Sequence, residues 1–300
     1  MCKEYKFREG GIAFLLAVLC PYVAAVLWQT IFFAAPEFLQ SDAGFWLRSV
    51  VIEGSIFVAV WGLCRAKKID FAAANRFRPF PWKTAPLLLL LALAMLAVDF
   101  PLQQWFSAFL QSVGCSAPSV TYPDFTQPAQ FVCGVFVTGV IAAICEETAY
   151  RGAVLGATRM LGKGWAVAFS AVTFALMHAS PWQTLHPLLM GAVLAWVALT
   201  LNSTWASILV HAGNNVAVLA LSLAETAVTE FVMQNVAWVL PLGLVLMGGI
   251  LFLVYRFRPQ TEETEKIPLP FGEKLSGGVA FGATALVCIL LWIVAFRGAA

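Results

Sequence analysis

The sequence predicts an all-α, polytopic transmembrane helical bundle, and three observations carry that expectation. The 300 residues are 61% hydrophobic, only 11% are charged, and the mean hydropathy is +0.83. A soluble domain carries about 45–50% apolar and about 25% charged residues. The apolar stretches are continuous rather than alternating, which suits helices and not a barrel. Lipid also requires each backbone polar group to be bonded within its own segment, which a helix achieves. This composition excludes a soluble enzyme, a disordered chain and a fibrous repeat.

A spanning helix needs roughly 20 mostly apolar residues. Nine stretches are expected to span: 11–35, 45–64, 84–108, 130–160, 164–180, 186–201, 205–223, 234–255 and 277–296. Eight spans is the alternative count. Asp99 and Pro101 interrupt the third stretch, which is expected to end near Val98 and continue along the interface through Trp105, Phe106 and Phe109. Basic residues favour cytoplasmic loops. Of 18 Lys and Arg, three fall in 1–10, six in 65–83, three in 151–163 and four in 256–274, leaving Arg48 and Arg297. That asymmetry predicts a cytoplasmic N-terminus and an external C-terminus. Lys3, Lys6 and Arg8 precede the first apolar run, which reads as an uncleaved anchor because no small-residue cleavage site follows.

Three segments follow from this reading. Residues 1–129 are N-terminal helices with a basic cytoplasmic loop, 130–223 are a helical core, and 224–300 are a two-helix extension with a polar linker at 259–274. No internal repeat is evident, which disfavours a transporter. A net charge of +2 is too mild to imply nucleic acid. The seven cysteines are odd in number, lack a Cys-x-x-Cys pair and read as core residues.

Ionisable residues inside a span cost about 2.5–3.5 kcal/mol each on insertion scales, so they mark function. The short list is Glu53, Asp99, Glu146, Glu147, Arg151, His178 and His211, with His186 near a helix start. Glu147 and Arg151 are spaced i,i+4 and can pair, whereas Glu146 is rotated about 100° away and is free to act. Glu146 and His178 each lie 16 residues from Gly162. In an antiparallel hairpin equal offsets give equal depth, about 24 Å from the turn, so the two can meet. His211 and Asn215 share a face one turn apart. Hydrolysis of a peptide needs a water, a base and donors for the oxyanion. Glu146 and His178 can share the water, His211 and Asn215 can supply the oxyanion hole, and Glu147 with Arg151 can position the base. Glu53 is expected to pair with Arg48 or reach the interface, and Asp99 to cap the approach to Pro101.

Glu-Glu-x-x-x-Arg at 146–151, Phe-x-x-x-His at 174–178 and His-x-x-x-Asn at 211–215 follow one another on successive spans. In that order they resemble the CPBP family of CAAX-processing and bacteriocin-processing (Abi) intramembrane proteins, which includes the type II CAAX prenyl endopeptidases. The resemblance covers about 130–223. It implies Glu146 as catalytic base, His178 sharing the activated water, His211 and Asn215 as the oxyanion hole, and Glu147 and Arg151 as supporting residues. The substrate it implies is membrane-associated, a lipidated C-terminus or a hydrophobic leader. A metal-free mechanism is favoured. The zinc-dependent alternative would use Glu146, His178 and His211, because two histidines and a carboxylate make a plausible catalytic zinc site. A non-proteolytic scaffold or immunity protein is the reading from another class.

Overall fold

The computed structural model describes residues 4–117, 121–259 and 269–298. Among them there is no strand, and eight helices are long and apolar enough to cross a membrane. These are α1 (Phe7–Ile31), α2 (Asp42–Lys67), α3 (Trp82–Ser112), α4 (Pro128–Leu161), α6 (Pro181–Thr200), α7 (Thr204–Ser222), α8 (Val236–Arg256) and α9 (Phe271–Arg297), with the shorter α5 (Lys163–Met177) between α4 and α6. The chain is therefore an integral, multi-pass, all-α membrane protein. Valine, leucine, isoleucine and phenylalanine side chains such as Val26, Ile31, Val245, Phe252 and Val294 are exposed on its outside. In water such surface would be unfavourable; against acyl chains it is what the bilayer demands.

The expected fifth span is shorter than the sequence suggested. α5 has 15 residues, about 22 Å at 1.5 Å per residue against a hydrocarbon core of about 30 Å. It stops because Ser180 precedes Pro181, which disfavours helical backbone, and because Ala179 turns the chain with φ +46°. The third span differs too. α3 runs unbroken through Pro101 to Ser112, and Asp99 is buried inside it. Of the expected polar linker, residues 260–268 lie outside the described residues, and helix α9 already begins at Phe271. Six cysteines, Cys20, Cys64, Cys115, Cys133, Cys145 and Cys288, are free thiols; Cys2 lies outside the described residues.

α1 packs between α2 and α9, α3 between α7 and α8, and α5 against α6. Phe7, Phe14, Tyr150, Phe169 and Phe281 interlock at the α1–α4–α5–α9 junction with ring centroids 5.2–6.4 Å apart. The α5–α6 crossing is close because Gly191 has no side chain: a Cβ there would lie 3.0 Å from the Cα of Ala171. The basic loops converge at one end. Asn202 Oδ1 accepts from both Arg76 and Arg159 at 3.2 Å, and Arg76 pairs with Glu4 at 3.5 Å. Burial beside Arg78 lowers the Arg76 guanidinium below its ordinary value, desolvation being the larger cause.

Candidate active site

α4 is not a uniform α-helix. π-helical turns at Val135–Ile141 and Thr148–Val154 flank the regular turn Ala142–Glu147 that carries the two adjacent glutamates. Such wide turns are frequent at functional sites. They sit where α4 meets α7, and the carbonyl of Thr138, inside the first, accepts a hydrogen bond from Asn215 Nδ2 at 2.9 Å.

Glu147 and Arg151 form the ion pair their spacing suggested, Oε1 to Nη1 2.8 Å, with both side chains fully buried. The pair also reaches His211. His211 Nδ1 donates to the same Glu147 oxygen at 3.0 Å, and its other nitrogen, Nε2, lies 3.8 Å from Glu146 Oε2. A single carboxylate oxygen thus bridges guanidinium and imidazole, so Glu147 and Arg151 hold His211. Arg151 also donates to the Gly191 carbonyl at 3.3 Å and lies 4.4 Å from the centre of the Phe174 ring.

His178 caps the C-terminal end of α5. Its Nδ1 lies 2.9 Å from the Phe174 carbonyl. A carbonyl only accepts, so Nδ1 carries the proton and Nε2 is left with its lone pair. The Phe174 ring meets the rings of Tyr150, His178 and His211 edge-on, at 5.2, 5.2 and 5.9 Å. Phe174 therefore touches both histidines and the arginine.

Glu146, His178, His211 and Asn215 all line one cavity of about 370 Å³. Glu146 and His178 also line a second cavity of about 320 Å³. Glu146 and His178 thus line both chambers. Among the described residues, no group of three or more His, Cys, Asp and Glu is gathered as a metal ion would need. Glu146, His178 and His211, the zinc alternative's set, line the same cavity, and the bond of His211 Nδ1 to Glu147 leaves its Nε2 free.

Other polar groups line the first cavity that sequence spacing could not place there. Asp99 Oδ2 and His186 Nδ1 are 2.9 Å apart, so Asp99 binds a histidine 87 residues away instead of capping toward Pro101. Gln103 lines the cavity and donates to the Trp182 carbonyl at 3.1 Å. Glu53 lines the second cavity beside Glu146, and no ion pair among the described residues joins it to Arg48. The signal for Asp99 and Glu53 was their charge within apolar runs; nothing in the spacing named their neighbours.

With that geometry in place, one comparison decides the family resemblance. Residues 128–217 match the family model described as type II CAAX prenyl endopeptidase Rce1-like. The resemblance read from the three motifs is borne out over that stretch, which holds all seven motif residues. The Rce1-like segment runs from the start of α4 into α7 and supports a CAAX-type intramembrane protease in general terms. No curated protein and no solved structure matches the chain.

Proposed function

We propose that the protein is an intramembrane endopeptidase that cleaves a membrane-associated polypeptide with water activated by Glu146 and His178. The observation that carries this reading is the convergence of Glu146, His178, His211 and Asn215, from three helices, on one cavity. Glu146 takes a proton from the water as its oxygen bonds to the scissile carbonyl carbon. The lone pair on His178 Nε2 accepts the water's other hydrogen and fixes the water's direction. Negative charge moves to the carbonyl oxygen, which faces Asn215 and His211 Nε2. Nε2 acts as a donor when it carries a proton, and Glu146, 3.8 Å away, can pass it one. On collapse, the C–N bond breaks and the proton goes to the leaving amine. A carboxylic acid and an amine leave, and Glu146 returns to its starting state. Donors of this kind are worth about 2.7–4 kcal/mol of barrier each.

The metal-free route is the one this reading adopts; His211, held through Nδ1 by Glu147, keeps Nε2 free, and the same anchoring would also suit a zinc ligand, so the chelator arm of the test separates the two. The two chambers flanking Glu146 and His178 suit an endopeptidase, which must seat chain on both sides of the bond. The N-terminus is cytoplasmic and the C-terminus external in this reading. The test uses purified protein in vesicles with a panel of prenylated and leader peptides, comparing wild type, Glu146→Gln and His178→Ala with and without a chelator. Loss of cleavage on substitution, with indifference to chelator, is the expected result. Inhibition by chelator, restored by zinc, would favour the metal alternative, and an active Glu146→Gln would leave only a scaffold role for the cluster.

A further inference from the structure

Both cavities rise from the Glu146–His178 pair toward the same end of the bundle, and it is the end without the basic loops. On α3, which starts at the basic end, the lining residues Leu96 to Gln103 lie about 21–32 Å along the helix from Trp82. On α6, which ends at the basic end, the lining residues Trp182 to Met190 occupy the opposite, first half. On α2 the second cavity takes Arg48 to Ile56, while Arg65 and Lys67 close the other end of that helix. No residue of the loop 68–81 or of the Gly162 and Asn202 turns lines either chamber.

The two ends are fixed independently of the cavities. At one, Glu4, Arg76, Arg159 and Asn202 are bonded together, and Lys6 pairs with Glu273 at 3.7 Å. At the other, Trp182 Nε1 donates to the Ser116 carbonyl at 3.0 Å, and Trp292 Nε1 donates to Thr184 at 2.9 Å. Glu37, Asp42, Asp124, Glu225 and Glu230 belong to this second end, where the Lys and Arg are Arg48 and Arg297. Positive charge in short loops stays on the cytoplasmic side during insertion.

We propose that the site faces away from the cytoplasm and receives polypeptide presented at the outer surface of the membrane. Its substrate is a chain that has already crossed the bilayer, the outer juxtamembrane part of a membrane-attached protein or peptide, rather than a lipidated C-terminus held in the cytoplasm. This deepens the protease reading and rests on it for the word substrate; the direction of the cavities stands without it.

The experiment has two arms. In intact cells, a membrane-impermeant maleimide is applied to Ser116→Cys, beside Trp182, and to Ala72→Cys, in the basic loop. Both positions are exposed. The expected result is labelling of Ser116→Cys at once and of Ala72→Cys only after permeabilisation; the reverse pattern would overturn the proposal. In the second arm, impermeant peptides from the panel above are added outside sealed vesicles of either orientation. Cleavage confined to right-side-out vesicles supports it, and cleavage confined to inside-out vesicles overturns it. Labelling as expected with no cleavage by detergent-solubilised protein supports the outward orientation while sinking the protease reading, so the two failures are distinct.

Discussion

Replacing Arg151 by methionine should destabilise the protein far more than its effect in a Glu147→Gln background. The wild-type guanidinium and carboxylate are fully buried and 2.8 Å apart. With the arginine gone, Glu147 keeps the His211 Nδ1 donor at 3.0 Å but loses its opposite charge. Phe174 loses the cation 4.4 Å from its ring centre, and the Gly191 carbonyl loses its 3.3 Å donor. Removing one partner of a buried pair costs about 3–5 kcal/mol, chiefly because a lone charge is left behind. Glu147→Gln removes that charge while keeping an amide oxygen for His211. The double variant should therefore fall short of the sum of the single losses by about 1–3 kcal/mol, the coupling typical of contacting residues. Unfolding in mixed micelles of mild detergent and SDS, followed by the fluorescence of the 11 tryptophans, measures all four corners of the cycle. Additivity within about 0.5 kcal/mol would refute the reasoning, since independent sites behave that way.

Three further outcomes follow from the same geometry. Glu146→Gln should lower cleavage by about 10²–10⁴, the usual worth of a general base. Its unfolding free energy should stay within about 0.5 kcal/mol of wild type, because the closest ionic contact of Glu146 is the 3.8 Å approach of His211; a large loss of stability would recast Glu146 as structural. Phe174→Ala should cost about 3–5 kcal/mol in the same micelle titration, as a fully buried ring does, and cleavage by the remaining folded fraction should fall as well because both histidines lose their packing; unchanged turnover would deny the ring a positioning role. Gly191→Ala should cost about 1–3 kcal/mol by overpacking, since its Cβ would meet Ala171 backbone 3.0 Å away. A thermal midpoint equal to wild type would show that α5 and α6 can separate freely.

The sequence made the bundle legible because lipid leaves little choice: a spanning segment must be apolar throughout, and its backbone must be helical. The same constraint exposed the motif residues, since a glutamate or arginine in such a segment needs a reason. What it hid depends on partners far apart in the chain. Glu147 and His211 are 64 residues apart, and either glutamate could have been the one to hold the imidazole. Asp99 and His186 are farther still. The π-helical turns of α4 were invisible because Val135–Ile141 is an ordinary apolar stretch. The 15-residue length of α5 was misread because hydrophobicity continues to Ala179, while backbone geometry ends the helix at Met177.

That early ending and the chemistry proposed for His178 are one structural fact. In a longer helix the backbone N–H of residue 178 would bond the Phe174 carbonyl four residues back. Here it turns to the Ala175 carbonyl at 3.3 Å instead. The Phe174 carbonyl, an orphan of the helix end, then takes the imidazole Nδ1 at 2.9 Å. The Phe-x-x-x-His spacing thus records a carbonyl released by helix termination and recaptured by a side chain. His211 reaches the same arrangement by another route, its Nδ1 held by a carboxylate that Arg151 keeps in place. Both rings are fixed through Nδ1, and each keeps Nε2 for the cavity that its residue lines. A spanning α5 would have sealed the Phe174 carbonyl and freed the ring to rotate. The short helix is therefore a condition of the site, with the strained Ala179 marking where the chain turns away from it.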